Sequence, residues 1–215
     1  MPMNRIIITN SLNSFNHPPR SAACGPLFII DLMKKNACSL LLLCGSLRPK
    51  SSAHAIMQAM QHLLPVDVNA SVYEGMADLP HFDDGQYEHH AVRTMIAALE
   101  AADGLLIVTP EYAFGVPGSL KNLLDWTVAS GVLNQKPVAL VTASSQGEKG
   151  HAALIHILTA LGTIQHQDRQ LLISFVRTKL DESGNIKDPA LKMRLQQVIL
   201  SLCETAREVK GSIQQ

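Results

Sequence analysis

Three hydroxyls and a guanidinium crowd one short stretch, Gly45-Ser46-Leu47-Arg48-Pro49-Lys50-Ser51-Ser52, set between an apolar run and a helical pattern. A strand-to-helix loop of this kind brings the hydroxyls, Arg48 and the free N–H groups of a helix start to one place. That set suits a phosphate dianion. The helix end offers donors and a positive dipole, and the guanidinium offers a forked, charge-assisted pair. The same residues also make a plain helix start, capped by Ser51 or Ser52 with Arg48 in solvent. The pattern G-x-x-x-x-G-K-[ST] is absent, which disfavours ATP and GTP.

A second stretch, Thr109-Pro110-Glu111-Tyr112-Ala113-Phe114-Gly115-Val116-Pro117-Gly118, is long and holds two prolines and two glycines. The glycines allow close backbone approach to a planar ligand, and the prolines fix the path. Tyr112 and Phe114 offer apolar faces. Beyond it, Lys121 and Asp125 are four apart and can pair on one helix face. Trp126 is expected to be buried beneath the site, and Leu120–Trp126 to be structural rather than catalytic. His81, Asp83, Asp84, His89 and His90 share a polar loop, but their spacing matches no zinc or calcium pattern, so no metal is expected. His151 and His156 are read as solvated. No G-x-S-x-G elbow supports a hydrolase.

These stretches need elements to hold them. Ser39–Cys44 and Gly104–Thr109 are apolar throughout, as strands of a parallel sheet buried on both faces are. Val66–Tyr73, Lys136–Ala143 and Leu171–Val176 complete five strands. Helical spacing marks Ser51–Leu64, ended by Pro65, and Ala91–Ala102. A third helix has Pro117 at its first turn, an apolar face through Leu120, Leu123, Leu124 and Val128, and Gly131 beyond its end. A fourth, His151–Leu161, is closed by Gly162. A long last helix starts at Asp188-Pro189 and carries Leu191, Leu195, Val198, Ile199, Leu202, Ala206 and Val209 on one face.

Alternating strands and helices define an α/β, doubly wound parallel sheet. A dinucleotide fold wants G-x-G-x-x-G after the first strand, and none is present. In the five-stranded order 2-1-3-4-5, the switch point falls beside strands one and three. Those are the strands that the two unusual loops follow.

Composition narrows the function further. The 215 residues are 47% hydrophobic and 17% charged, enough for a core and too little charge for disorder. Basic and acidic residues balance at 18 each, so no nucleic acid or anionic membrane is expected as partner. Cys24, Cys38, Cys44 and Cys203 show no C-x-x-C spacing, which favours a reducing, cytoplasmic home. Residues 1–35 differ from the rest: asparagines, a Pro18-Pro19 pair, and no acid before Asp31. They are expected to be a flexible leader to a domain over 36–215, rather than a transit peptide.

The strings G-S-L-R-x-x-S (Gly45–Ser51) and P-E-Y-x-x-x-x-P-G-x-L-K-N-x-x-D-W (Pro110–Trp126) closely resemble the NAD(P)H-dependent FMN reductase family, which has a flavodoxin-like fold. Ser145-Gln146-Gly147-Glu148-Lys149-Gly150 is similar to that family's serine/glycine loop after strand four. The resemblance runs from about Leu40 to Leu202. It implies FMN phosphate on Ser46, Arg48 and Ser51. It also implies flavin ring contacts from Pro110, Glu111, Tyr112 and Ala113 and from Ser145, Gln146 and Gly147. No side chain is implied as a catalytic acid or base: hydride from NADPH or NADH would pass to FMN, then electrons to a quinone, flavin, azo dye or metal oxyanion. A homodimer or homotetramer is implied too. A non-enzymatic electron carrier or redox sensor on the same fold is the alternative. The chain departs from the family at Ala53 and Ala113, where asparagine is common, at Gly115, where serine is frequent, and at His151, where a second glycine is common.

Overall fold

The computed structural model describes residues 38–83, 85 and 87–213. The expected leader, Cys24 and Asp84 lie outside the described residues. Five parallel strands, β1 (Cys38–Cys44), β2 (Val68–Tyr73), β3 (Gly104–Thr109), β4 (Val138–Ala143) and β5 (Gln170–Ile173), form one sheet in the order β2-β1-β3-β4-β5. This is the expected doubly wound arrangement. Because side chains alternate across a strand, β1 feeds two cores. Leu40, Leu42 and Cys44 pack on one face, Leu41 and Leu43 on the other.

The first face is covered by α1 (Ser52–His62) and α5 (Pro189–Ile213), and the second by α2 (His90–Ala101), α3 (Gly118–Trp126) and α4 (Glu148–Ala160). Helix α5 buries Leu191, Leu195, Val198, Ile199, Leu202 and Ala206 of the expected stripe, with Val209 half-buried at its end. Asp188 caps it: Oδ1 accepts from the N–H of Ala190 at 3.0 Å and of Leu191 at 3.4 Å. Every residue of β3 and β4 is buried, so these strands carry the carboxyl-edge loops on a rigid base. No helix among the described residues is long and apolar enough to cross a membrane.

Several boundaries differ from the expectations. Val66 sits in a turn before β2 and is fully exposed, and β2 is an exposed edge strand. Pro117 is the cap of α3 rather than its first helical residue, and the helix ends at Trp126, which leaves Val128 61% exposed. Helix α4 begins three residues earlier than its hydrophobic spacing suggests. Strand β5 ends at Ile173, after which Ser174 and Phe175 turn into a short 3-10 segment, Val176–Lys179.

Helix α3 clamps the chain between β2 and α2. The Trp126 ring is buried, its Nε1–H donates to the Pro80 carbonyl at 3.0 Å, and the rings of Phe82 and Tyr87 stand edge-on at 5.1 and 5.4 Å. Asn122 donates to the Pro80 carbonyl and accepts from the Phe82 N–H. Lys121 and Asp125 pair at 2.6 Å. Trp126 is buried, as expected, and the bonds to Pro80 and Phe82 tie the Leu120–Trp126 string to the segment after β2. His81, His89 and His90 are exposed, and no group of three metal-ligating side chains occurs among the described residues.

Candidate active site

Four loops meet at the carboxyl edge of the sheet and line a cleft of about 480 Å³. The loop after β1 contributes Arg48, Lys50 and Ser51, together with Ser52 and Ala53 at the start of α1. The loop after β3 contributes Pro110, Glu111 and Tyr112, the end of β4 Ala143–Ser145, and the turn after β5 Phe175–Thr178. Of the ten residues expected at a flavin site, Arg48, Ser51, Pro110, Glu111, Tyr112 and Ser145 line this cleft.

The other four stand one step back. Ser46 is buried behind the lining; its Oγ accepts from the Arg48 N–H at 3.2 Å and lies 3.2 Å from the Tyr112 hydroxyl, tying the two loops together. Ala113 and Phe114 form the tip of a two-residue hairpin closed by paired Tyr112–Gly115 backbone bonds of 3.0 and 2.9 Å. Both tip residues have positive φ, 48° and 60°, as such a tight turn requires. Alanine bears that conformation less easily than the asparagine common in the family. Gln146 takes part through its carbonyl, which accepts from Ser174 Oγ at 2.9 Å. Gly147 caps α4 at φ 96°, and a Cβ there would lie 2.7 Å from Leu172.

Two helices start at this cleft, and their N-termini differ. Glu111 serves α4: its carboxylate accepts from the N–H of Gly147 at 3.2 Å and of Gly150 at 2.6 Å. This cap comes from 36 residues away and explains why α4 starts early without a local signal. In α1, Ser51 caps His54, and the Ala55 N–H reaches the Ser51 carbonyl. The N–H groups of Ser52 and Ala53 have no partner among the described residues. Arg48, Lys50 and Arg177 line the same cleft, and none has a carboxylate partner among the described residues. The α1 end therefore keeps free donors with cations lining the same cleft, whereas Glu111 occupies the α4 end.

Glu111→Ala is expected to cost about 1–2 kcal/mol of stability, because two helix N–H groups lose their acceptor. Urea unfolding measures it, and amide exchange should quicken at Gly147 and Gly150.

His151 is not solvated. Its Nδ1 lies 2.8 Å from the hydroxyl of buried Thr142, and burial pushes the imidazole pKa down. The unfolded chain therefore takes up the proton first. This contribution to stability is present above the ordinary histidine range and is lost as pH falls from there through the folded value. His151→Asn should flatten the loss of urea midpoint between pH 8 and pH 5, and an unchanged slope contradicts the assignment.

Phe175, Arg177 and Thr178 were not anticipated. Phe175 has φ 53° and is 65% exposed. Its N–H donates to the Ser145 carbonyl at 3.0 Å, while the Val176 N–H donates to Ser144 at 3.1 Å. These bonds pull the chain out of strand register and fold it over the cleft. A bulky residue with positive φ is strained, and such strain gathers at working sites. The available signal was position alone, since this turn leaves the same carboxyl edge as the other loops.

A parallel sheet in this order, with its cleft at the switch point, defines the flavodoxin-like class of doubly wound protein. The NADPH-dependent FMN reductase family model matches residues 38–178, and the chain belongs to that family. It is an oxidoreductase that works with FMN and a nicotinamide co-substrate. The chain is 31% identical over 182 residues to a quinone reductase of Escherichia coli K12, covering 80% of this chain and 96% of that protein. It is 30% identical over 170 residues to a 2-hydroxy-1,4-benzoquinone reductase of Burkholderia, covering 74% and 91%. The flavoenzyme NAD(P)H:(acceptor) oxidoreductase FerB of Paracoccus denitrificans has the same fold. Its TM-score is 0.71 at 23% identity, over 80% of this chain and 98% of that one.

Proposed function

We propose that FMN lies in the 480 Å³ cleft with its phosphate at the N-terminus of α1, and that the enzyme reduces a quinone at the expense of NADPH. The observation that carries this is the free pair of N–H groups at Ser52 and Ala53 in a cleft also lined by Arg48, Lys50 and Arg177, with the α4 terminus filled by Glu111. The donor set fits a phosphate dianion. Arg177 lines the same cleft as Ala53 and would supply a cation where asparagine is common in the family. When bound, FMN supplies hydride and electron transfer between nicotinamide and acceptor.

The chain's own residues bind and orient. Arg48 and Ser51 hold the phosphate, Ser46 fixes Tyr112 against the loop after β1, and Glu111 fixes the Ser145 loop against the loop after β3. The backbones of Pro110–Tyr112 and Ser145 would border the ring, with Ala113, Gln146 and Gly147 supporting them from behind. Tyr112 and Phe175, 41% and 65% exposed, offer flat apolar faces to a planar acceptor. The names of the quinone-reducing relatives support that acceptor class. NADPH is preferred to NADH on the family's description.

A homodimer is proposed because Leu47, Phe114 and Val128 are large apolar residues left 51%, 62% and 61% exposed. A reducing, cytoplasmic setting suits the buried free thiols of Cys38, Cys44 and Cys203. The test is steady-state oxidation of NADPH and NADH by the FMN-loaded protein, with a naphthoquinone and with ferricyanide as acceptors. Turnover limited to ferricyanide would contradict the quinone assignment.

A further inference from the structure

We infer that His54 is a positioning residue for the phosphate end of the flavin site, aiming the Ser51 hydroxyl, and that Cys44 is its alternate hydrogen-bond partner. The inference rests on the proposed seat of the FMN phosphate at the start of α1. Ser51 Oγ accepts from the His54 N–H at 3.2 Å and lies 2.9 Å from His54 Nδ1. Cys44 Sγ, at the end of β1, lies 3.3 Å from the same ring nitrogen. One imidazole nitrogen thus faces two X–H groups, one bordering the cleft and one inside the core.

Proton counting shows what this does. A hydroxyl has one proton to give, and a neutral imidazole protonated at Nε2 presents Nδ1 as an acceptor. Without an anion, the Ser51 O–H rests on Nδ1, and its oxygen stays aimed along the rim of the cleft. With a phosphate in place, that proton turns to a phosphate oxygen, and Nδ1 would be left bare beside the core. Cys44 fills the gap, because its S–H can swing onto Nδ1. Burial pushes the Cys44 thiol pKa up, which keeps that proton in place. Nδ1 has a donor in either arrangement, so Ser51 can change partner without leaving the ring nitrogen bare.

The experiment compares the affinities of the full-length protein for FMN and for riboflavin, which lacks the phosphate, by quenching of flavin fluorescence. His54→Leu should lower the FMN-to-riboflavin affinity ratio about tenfold, the scale of one hydrogen bond to a charged group. His54→Asn, which restores an acceptor near the same point, should recover most of it. Cys44→Ala should lower the ratio severalfold, and Cys44→Ser should preserve it. If FMN and riboflavin affinities fall together in His54→Leu, or Asn gives no recovery, His54 is merely structural and the inference is overturned. Arg48→Ala separates the two levels. If it lowers the ratio while the His54 variants do not, only this inference fails; if it too leaves the ratio unchanged, the phosphate does not sit here and both fail.

Discussion

Arg48→Ala is expected to weaken FMN binding about 30-fold while leaving riboflavin binding nearly unchanged. A hydrogen bond to a charged group contributes roughly 1.5–3 kcal/mol, and the guanidinium can make two at once to a phosphate. Arg48 is exposed, so solvent screens it, and the lower half of that range applies. Lys50→Ala should cost less, since an ammonium is a point charge without the planar fork. The remaining cations, Arg177 and Lys50, keep binding measurable in the single variant. Flavin titration at low and moderate salt checks this: the wild-type advantage should shrink as salt rises. Equal affinity of wild type and variant for FMN at low salt would contradict the phosphate assignment.

The largest stability effect is expected at Gly45, where β1 hands over to the loop that leads into α1. Its N–H donates to the Val108 carbonyl at 2.8 Å, so the backbone runs close beside β3. A Cβ on Gly45 would stand 2.2 Å from Thr109 Oγ1, 2.7 Å from Thr109 Cβ and 2.9 Å from Leu120 Cδ2. Thr109 has no easy escape. It is buried, its hydroxyl donates to the Pro110 carbonyl at 3.1 Å, and its Cβ is anchored to the strand. Gly45→Ala should therefore destabilise the fold by about 3 kcal/mol, the upper end of ordinary overpacking. For a chain of this size that lowers Tm by roughly 6–12 °C. Thermal unfolding of the flavin-free protein reads the effect directly, and an unshifted Tm would mean that the two strand ends have room to spare.

What was legible in the sequence divides along a physical line. The all-apolar runs Leu40–Leu43 and Gly104–Val108 declare strands buried on both faces, because only a covered parallel sheet hides such segments. The chemistry-bearing loops following strands one and three then choose the strand order. Long-range partners were less visible. Helix α4 takes its cap from Glu111, so nothing near Gly147 marked the start. The string Leu171–Val176 continues a strand pattern, but the Ser144 and Ser145 carbonyls bend the chain at Phe175. That bend carries Arg177 and Thr178 to the cleft. His151 lacked any sequence sign of its bond to Thr142, since the partner lies on a neighbouring strand. Local pattern therefore marked the loops after strands one and three that meet at the cleft, while the contacts that join the four loops came from tertiary packing.

The most direct test of the central claim is a visible absorbance spectrum of the FMN-reconstituted protein before and after anaerobic addition of NADPH. The account predicts a protein-bound flavin spectrum that bleaches promptly on addition and returns when a quinone is supplied. Bound flavin that stays oxidised would contradict the reductase reading and favour an electron carrier. A protein that retains no flavin would contradict the site itself.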